Sequence, residues 1–466
     1  MRKKILLLNL PGLVIDAPPL PLAILKGALN PYHDVTCFDL NYYIKMHANV
    51  TDNWLQFFHF NNKKIQNTIQ KFFNSHNIFR KKFDYIGISI LSDWQFEVCK
   101  IVISNIKKYC NSKIVCGGPY FVYTKNNPEK FNFFKENVDA CITGDAEISL
   151  LEYLNGNYTY PGINTPGYDI SFDRDATNFP DYNDFNLKNY SELQIYQTKG
   201  CIRKCTFCTV PSVWPKYVYK SSSRTADEIK YMYDKYNLSE FKNIKRIHFV
   251  DSLINGSKKL LADLSAGIIS NFGKNHYKFH WGGQAIASSY IPLDIYKLAA
   301  QAGLKYMIIG VESGSEKVRW SMKKKFYNKD LIQLLWYCKI LKITFHPLIL
   351  IGYPTETEQD FRLTLELLEK FKKYGVQNMT PGSTSIMTLG YNMPIIENLQ
   401  QYSISNYKNN WEWTGIDHDY AERLARLERF ATKAFDLGLT KVNPTQFVNA
   451  IIPLTTDNVS STDLSF

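Results

Sequence analysis

Long hydrophobic runs are missing from this chain, and cysteine is scarce everywhere but in one place. The opening MRKKILLLNLPG has a basic start, but its apolar run stops after about six residues at Pro11, too short for a secretory h-region and far too short to span a bilayer. The expectation is a buried first strand in a cytoplasmic protein. Nine cysteines in 466 residues is an odd number, and six stand singly at 37, 99, 110, 116, 141 and 338. That excludes a disulfide framework and leaves these six as mostly inert, buried thiols of a reducing compartment. Internal repeats and low-complexity segments are absent, which excludes repeat arrays. Basic clusters are scarce too: net charge is +12, yet the densest basic run is Lys323–Lys325. A solvated, Lys-rich and Asn-rich surface accounts for this charge better than a nucleic-acid partner, since no nucleic-acid module is recognisable.

The chain is long enough to bury two or three cores. Residues 1–160 alternate apolar, β-branched runs (KKILLLNL, VTCFDL, YIGISIL, KIVCGG, ACITG) with helix-length segments. Such runs predict parallel strands covered on both faces, hence an α/β, flavodoxin-like domain of Rossmann type. Ligands of these sheets bind at the carboxyl ends of the strands. There the sequence supplies NLPG at 9–12, SILSD at 89–93, GGPY at 117–120 and TGDAE at 143–147. Residues 161–190, rich in Asn, Asp, Pro, Gly and Tyr, read as a linker.

From 191 to 387 the alternation resumes with ELQIYQT, IKRIHFVD, KFHWGGQAI, YMIIGVES, ITFHPLILIG and QNMTPGSTSIM. Six β/α units in about 200 residues fit a partial, TIM-like (β/α)6 barrel with catalytic groups at the carboxyl ends of its strands. TADEIKYMYDKY predicts a helix with Thr225 as N-cap and Glu228 closing a capping box. Residues 388–466 read as an irregular, mostly helical region. In it Leu424, Leu427, Phe430 and Ala434 recur at the spacing of a helix packed on the barrel, while Trp411 and Trp413 suit either a pocket wall or the core.

The exception among the cysteines is YQTKGCIRKCTFCTVP, residues 196–211, with Cys201, Cys205 and Cys208. Thiolates in one short loop converge on a soft metal centre, zinc or iron–sulfur. A closed zinc site takes four ligands, but the next cysteine is 338 and the next histidine 248, neither at a zinc-binding spacing. Three thiolates on a four-iron cluster leave one iron open to a small molecule.

The C-x3-C-x2-C spacing, with Phe207 before the last cysteine, resembles the signature of the radical S-adenosylmethionine (radical SAM) superfamily. The resemblance implies that Cys201, Cys205 and Cys208 hold a [4Fe–4S] cluster whose fourth iron chelates SAM. It further implies that electron transfer from a flavodoxin- or ferredoxin-type donor releases a 5′-deoxyadenosyl radical. RIHFVDSLING resembles the second-strand segment, in which only Asp251 of an acidic pair is kept. IIGVESGSEKVRWSMKKKF resembles the fourth-strand segment and implies Glu312 and Ser313 beside the amino acid or ribose of SAM. LILIGYPTETEQDF resembles the fifth, with Gly352 and Pro354 shaping the turn around adenine, Glu356 near the next helix and Phe207 as a wall. Where relatives often carry Arg after the third strand, this chain offers Gln284.

A flavodoxin-like domain, a linker with FPDYNDF and then this barrel is similar to the cobalamin-binding class of the superfamily. That likeness implies a corrin on the front sheet's carboxyl edge, contacted by Pro11, Gly12, Ser89, Leu91, Ser92, Gly117, Gly118, Pro119, Gly144 and Glu147. PLPLAILKGAL resembles the proline-flanked first helix of the class. No histidine stands in a D-x-H-x-x-G loop, so the implied cobalamin takes no ligand from one. The implied activity is methyl transfer from methylcobalamin to a radical-activated carbon of a small-molecule or peptide substrate. Alternatives are a cobalamin-dependent rearrangement or cyclisation, a tRNA methylthiotransferase-like enzyme with three further cluster cysteines, and a non-catalytic cobalamin or redox sensor.

Overall fold

The computed structural model describes residues 1–12, 15–47, 62–75, 82–92, 95–123, 127–165, 172–240, 243–244, 246–273, 279–390 and 392–451. They divide into two compact units, Met1–Gln194 with Tyr231–Lys245, and Ile195–Lys230 with Arg246–Ser465.

The first unit is built on strands β1 (Lys4–Asn9), β2 (Asp34–Asp39), β3 (Tyr85–Ser89), β4 (Lys113–Gly117) and β5 (Ala140–Ile142). All neighbours pair in parallel, in the order β2-β1-β3-β4-β5. The apolar runs explain it: Ile5 to Leu8 are buried without alternation, because helices cover both faces. Leu6, Leu8, Ile86, Ile88, Ile114, Phe121 and Phe134 belong to the resulting core. Cys37, Cys99, Cys116 and Cys141 are buried free thiols, and burial raises the pKa of Cys37, Cys116 and Cys141. The described part of the linker is tied to this unit. Asp184 pairs with the buried Lys26, and Arg174 forms a buried ion pair with Asp145.

A curled six-stranded sheet is made of β6 (Glu192–Ile195), at the boundary of the two stretches, and of the second unit's β9 (Arg246–Phe249), β10 (His280–Ala285), β11 (Leu304–Glu312), β12 (Thr344–Ile351) and β13 (Thr384–Ile386), running in that order from edge to edge. From β9 to β13 the strands pair in parallel. The two short strands between β6 and β9, β7 (Thr198–Lys199) and β8 (Val218–Tyr219), pair with each other in antiparallel fashion. Ile247, Phe249, Trp281, Met307, Ile309, Phe345 and Ile349 alternate along the sheet and are buried. The opposite face is only partly covered.

Two expectations are corrected in this unit. The helix after the cysteines spans Ser222–Lys235, so Thr225 lies inside it and is not its N-cap. Glu228 closes no capping box: its Oε2 accepts from Lys220 Nζ at 2.8 Å, both side chains being buried. In the C-terminal helix Tyr420–Asp436, Leu427, Phe430 and Ala434 are buried as the spacing expects, but Leu424 is only half-buried. Arg423 and Arg426 share the buried face instead, and Trp413 is a core residue. Among the described residues no helix is long and apolar enough to cross a membrane.

Candidate active site

The cysteine loop begins where β6 ends, and β7 and β8 close its neck. Asp251, just beyond β9, grips the entering strand: Oδ2 accepts the Gln197 N–H at 3.0 Å, and Oδ1 accepts the Thr198 N–H and hydroxyl, each at 2.7 Å. Burial pushes this carboxyl up to about 6 against those hydrogen bonds. Both oxygens of Asp251 are thus engaged by the protein.

Within the loop Cys205 is buried and Cys201 and Cys208 are half-buried, all as free thiols. The Arg203 N–H donates to Cys201 Sγ at 3.3 Å. Burial raises all three thiols, Cys205 to about 12, and the Lys324 ammonium opposes this at each. Among the described residues no three His, Cys, Asp or Glu side chains surround a point suited to one metal ion. A cluster whose irons each take one thiolate needs no such convergence.

Lys324 is the residue that the surface reading of the Lys323–Lys325 run got wrong. Lys323 and Lys325 are exposed, but the Lys324 side chain is 13% exposed and its Nζ lies 2.7 Å from Glu312 Oε1 and 5.7 Å from the Phe207 ring centroid. Burial by itself would lower its pKa; the Glu312 carboxylate and the Cys205 and Cys208 thiols outweigh that and raise it. Glu312 has φ 66°, in the left-handed region, next to a register shift between Gly310 and Glu312. A bulge and a strained dihedral that re-aim one side chain are common at functional sites. Gly310 makes the arrangement possible, because a Cβ there would meet Lys324 Nζ at 2.3 Å and Glu312 Oε1 at 2.5 Å.

Ser313 is buried and turned inward, with its hydroxyl 3.3 Å from Thr364 Oγ1 and accepting the Ser315 N–H at 3.1 Å. The β12 turn approaches the cysteine loop through a residue the sequence reading missed, Tyr353, whose hydroxyl lies 2.8 Å from Thr206 Oγ1. Gly352 donates its N–H to Glu356 Oε2 at 2.8 Å, and the Pro354 carbonyl accepts the Ile416 N–H at 2.8 Å. Phe207 packs on the cluster of Val318, Met322, Tyr353 and Ile395. Gln284 is exposed on β10. Thus Cys201, Cys205, Cys208, Phe207 and Glu312 come together around Lys324, whereas Asp251 and Ser313 brace the surrounding backbone. Lys324 and Gly310 carried no separate sequence signal, although Met322 and Phe326, both buried, hinted that the run between them is drawn inward.

In the first unit the parallel order gathers the remaining candidates along one sheet edge, at the ends of β1, β3, β4 and β5. Gly12 donates its N–H to Asn41 Oδ1 and the Pro11 carbonyl accepts from Gln95 Nε2. Ser89 ends β3; Leu91 is 48% exposed, and the Ser92 hydroxyl is buried without a hydrogen-bond partner. Asp93 lies outside the described residues. Gly117 ends β4, and Gly118, at φ 118° and ahead of Pro119, lies so near Ile90 that a Cβ would meet its carbonyl oxygen at 2.3 Å. Gly144 precedes the helix Ala146–Leu154, in which Glu147 is buried.

Residues 195–368 match the radical SAM superfamily profile. Among curated proteins the chain is 25% identical over 187 residues to the ribosomal protein uS12 methylthiotransferase RimO of Bacteroides thetaiotaomicron, covering 39% of this chain and 41% of that protein. The chain spans less than half the length of that protein and about half that of the next relatives it matches. Among solved structures it resembles the radical S-adenosylmethionine methyltransferase TsrM from Kitasatospora setae, with cobalamin and a [4Fe-4S] cluster bound. The TM-score is 0.64 at 16% identity, over 86% of this chain and 76% of that one. The cobalamin-dependent S-adenosylmethionine radical enzyme OxsB, with aqua-cobalamin bound, follows with TM-score 0.63 at 18% identity, over 86% and 61%. Residues 195–368 are thus similar to the radical SAM superfamily, and the chain shares the fold of the two cobalamin-dependent enzymes.

Proposed function

We propose that this protein is a cobalamin-dependent radical SAM enzyme, a methyltransferase acting on a carbon centre. The observation that carries the reading is three free thiols grouped around the Lys324–Glu312 pair, at the carboxyl ends of a curled parallel sheet. When bound, the cluster and SAM would supply a 5′-deoxyadenosyl radical, and cobalamin a transferable methyl group. Cys201, Cys205 and Cys208 would hold the cluster, and the Lys324 ammonium would offset the negative charge gathered there. Glu312 offers an acceptor for an ammonium and Lys324 a donor for a carboxylate, which are the two ends of an amino acid. Phe207, Gly352 and Pro354 would line the adenine side and Gln284 the neighbouring strand, while Asp251 and Ser313 would act by fixing the backbone.

In this reading residues 1–160 carry the corrin, 191–387 the cluster and SAM, and the tail from 388 closes on the second of these. The partnerless Ser92 hydroxyl, the exposed Leu91 and the backbone at Pro11, Gly12, Ser89, Gly117, Gly118, Pro119, Gly144 and Glu147 support a ligand along the sheet edge. A cytoplasmic setting suits the free thiols, and a flavodoxin- or ferredoxin-type protein would supply the electron. A methylthiotransferase reading has less support. Cys99, Cys116 and Cys141 are buried in the core of the first unit, and the regular elements of the described tail are the helices Tyr420–Asp436 and Pro444–Ile451.

Anaerobic reconstitution tests the cofactor set. The expected product shows iron–sulfur absorbance that is lost in Cys205→Ala, together with about one corrin per chain that survives gel filtration and declines in Ser92→Leu. A full cluster on a chain that retains no corrin would sink the cobalamin part of the reading.

A further inference from the structure

The site uses only the middle of the Lys323–Lys325 run: Lys324 turns in to Glu312, while Lys323 and Lys325 stay exposed. The run leaves the short helix Glu316–Ser321 and leads into the helix Asn328–Leu341. On these flanks Lys317 and Lys329 are exposed as well, and two aromatic rings stand outside the core. Trp320 is 42% and Tyr327 45% exposed; their ring centroids lie 5.4 Å apart, and Lys329 Nζ is 5.5 Å from the Tyr327 ring. The carboxylates of the same stretch do not balance this charge at the surface. Glu316 is half-buried and accepts the Asn328 N–H, and Asp330 is buried and accepts the Tyr327 N–H at 2.9 Å. Lys317 meets Asp360 across 3.4 Å, a weak pair for a side chain 68% exposed.

A run of lysines is ordinarily a solvated face, and a single exposed ring needs no explanation. The backing of this patch sets it apart. The Met322 carbonyl accepts the Thr206 N–H at 3.1 Å, and Thr206 directly follows Cys205. Next to it the Ser321 carbonyl accepts the Tyr353 hydroxyl at 3.3 Å, and that hydroxyl also lies 2.8 Å from Thr206 Oγ1. One hydrogen bond thus links the backbone between Trp320 and Lys323 to the backbone of a cysteine of the loop. Two adjacent aromatic rings supply the desolvated anchor of an interface, and four ammonium groups supply its steering field. So small and so charged a surface suits a transient encounter with an acidic partner better than a permanent subunit contact.

We propose that Lys317, Trp320, Lys323, Lys325, Tyr327 and Lys329 form the docking surface of an acidic one-electron carrier protein, whose electron enters at the cysteine loop. The carrier loses one electron and a cluster held by Cys201, Cys205 and Cys208 gains it; no bond forms or breaks in that step. This role rests on the function proposed above, which requires an electron source.

The test uses the full chain with its cluster in place and a purified flavodoxin of net negative charge. Calorimetric titration at low salt should give a saturable complex that weakens as salt is raised, whereas a cytochrome c of net positive charge should give none. Lys323→Glu, Lys325→Glu and Lys329→Glu combined should raise the Kd on the order of tenfold or more, and Trp320→Ala should raise it severalfold. Arginine at the same three positions keeps the charge and should keep the affinity. Cluster reduction by the flavodoxin hydroquinone should slow in parallel, while iron content and the end point of reduction by dithionite match wild type. No saturable binding at low salt, an unchanged Kd in the glutamate variant, or an equal loss in the arginine variant overturns the proposal. A short RNA oligomer that binds these lysines when flavodoxin does not overturns it too. A wild-type chain with a full cluster that binds flavodoxin through these lysines, yet cleaves no SAM with flavodoxin or dithionite, refutes the parent function and leaves the docking surface standing. Flavodoxin-driven SAM cleavage at the wild-type rate in the glutamate variant refutes the docking surface alone.

Discussion

Lys324 joins the three groups on which the proposed chemistry depends: the cysteine loop, the strained Glu312 and the Gly310 seat. Removing one member of a buried ion pair leaves the other charge unpaired, at a cost of about 3–5 kcal/mol. Lys324→Met should therefore lower the urea midpoint markedly. The double variant Glu312→Gln with Lys324→Met should recover most of that stability yet remain at least tenfold slower in SAM cleavage. If the double variant cleaves SAM at the wild-type rate, the pair is structural and has no part in holding SAM. Motif spacing made the cysteines, Glu312 and Phe207 legible in the sequence, since each stands at a fixed offset from a recognisable strand. Lys324 was not legible, because nothing in a run of three lysines tells which one turns inward. The left-handed backbone at Lys323 (φ 58°) and Lys325 (φ 53°) decides that, and it depends on the helix and strand on either side.

At the scale of elements, two braces hold the site. Asp251→Ala removes the acceptor for two buried N–H groups and a hydroxyl, each unsatisfied group costing about 1–3 kcal/mol. Iron content after reconstitution should fall with the unfolding midpoint, and Asp251→Asn, which keeps one oxygen, should lie between. Wild-type iron loading in Asp251→Ala would show that the entry of the cysteine loop needs no clamp.

The second brace ties the C-terminal helix to the β12 turn. Arg426 Nη1 lies 3.4 Å from Glu356 Oε2 with both side chains buried, and Glu356 Oε1 has no partner. His418 Nε2 donates to the Tyr353 carbonyl at 3.1 Å. Burial pushes Glu356 up to about 7 and His418 down to about 4. Between its ordinary 4.5 and about 7 the folded chain keeps the Glu356 proton that the unfolded chain releases, so this residue makes stability fall as pH rises through that window. The size is on the order of 3 kcal/mol. His418 acts in the opposite direction. Between about 4 and 6.5 only the unfolded chain binds its proton, so stability rises with pH there.

Relative to wild type, then, Glu356→Gln should gain stability as pH goes from 4.5 to 7, and His418→Gln should gain as pH goes from 6.5 to 4. Urea midpoints at three pH values read both effects, and curves parallel to wild type would contradict the burial assigned to these groups. None of this brace was legible in the sequence. The helical spacing singled out Leu424, Leu427, Phe430 and Ala434 and said nothing of Arg423 and Arg426, whose partners Trp413, Asp417 and Glu356 lie on segments whose approach only the fold creates. The shifted start of the Ser222–Lys235 helix has a similar cause, since the buried pair of Lys220 with Glu228 outcompetes a local capping box.

For the molecule as a whole, periodicity was enough to read both sheets. Fully apolar runs separated by helix-length segments become parallel strands, and the chain order of those segments becomes the strand order of the second sheet. The substrate was not legible, because no motif in the sequence marks the side chains that would recognise it. The account rests on the claim that the Cys201, Cys205 and Cys208 loop supports SAM chemistry in a chain that also binds cobalamin. The most direct test is anaerobic assay of the reconstituted chain with SAM, a reductant and cobalamin. The account predicts 5′-deoxyadenosine or S-adenosylhomocysteine, abolished by alanine at any one of the three cysteines. Neither product from a chain carrying its full complement of iron, sulfide and corrin would contradict it.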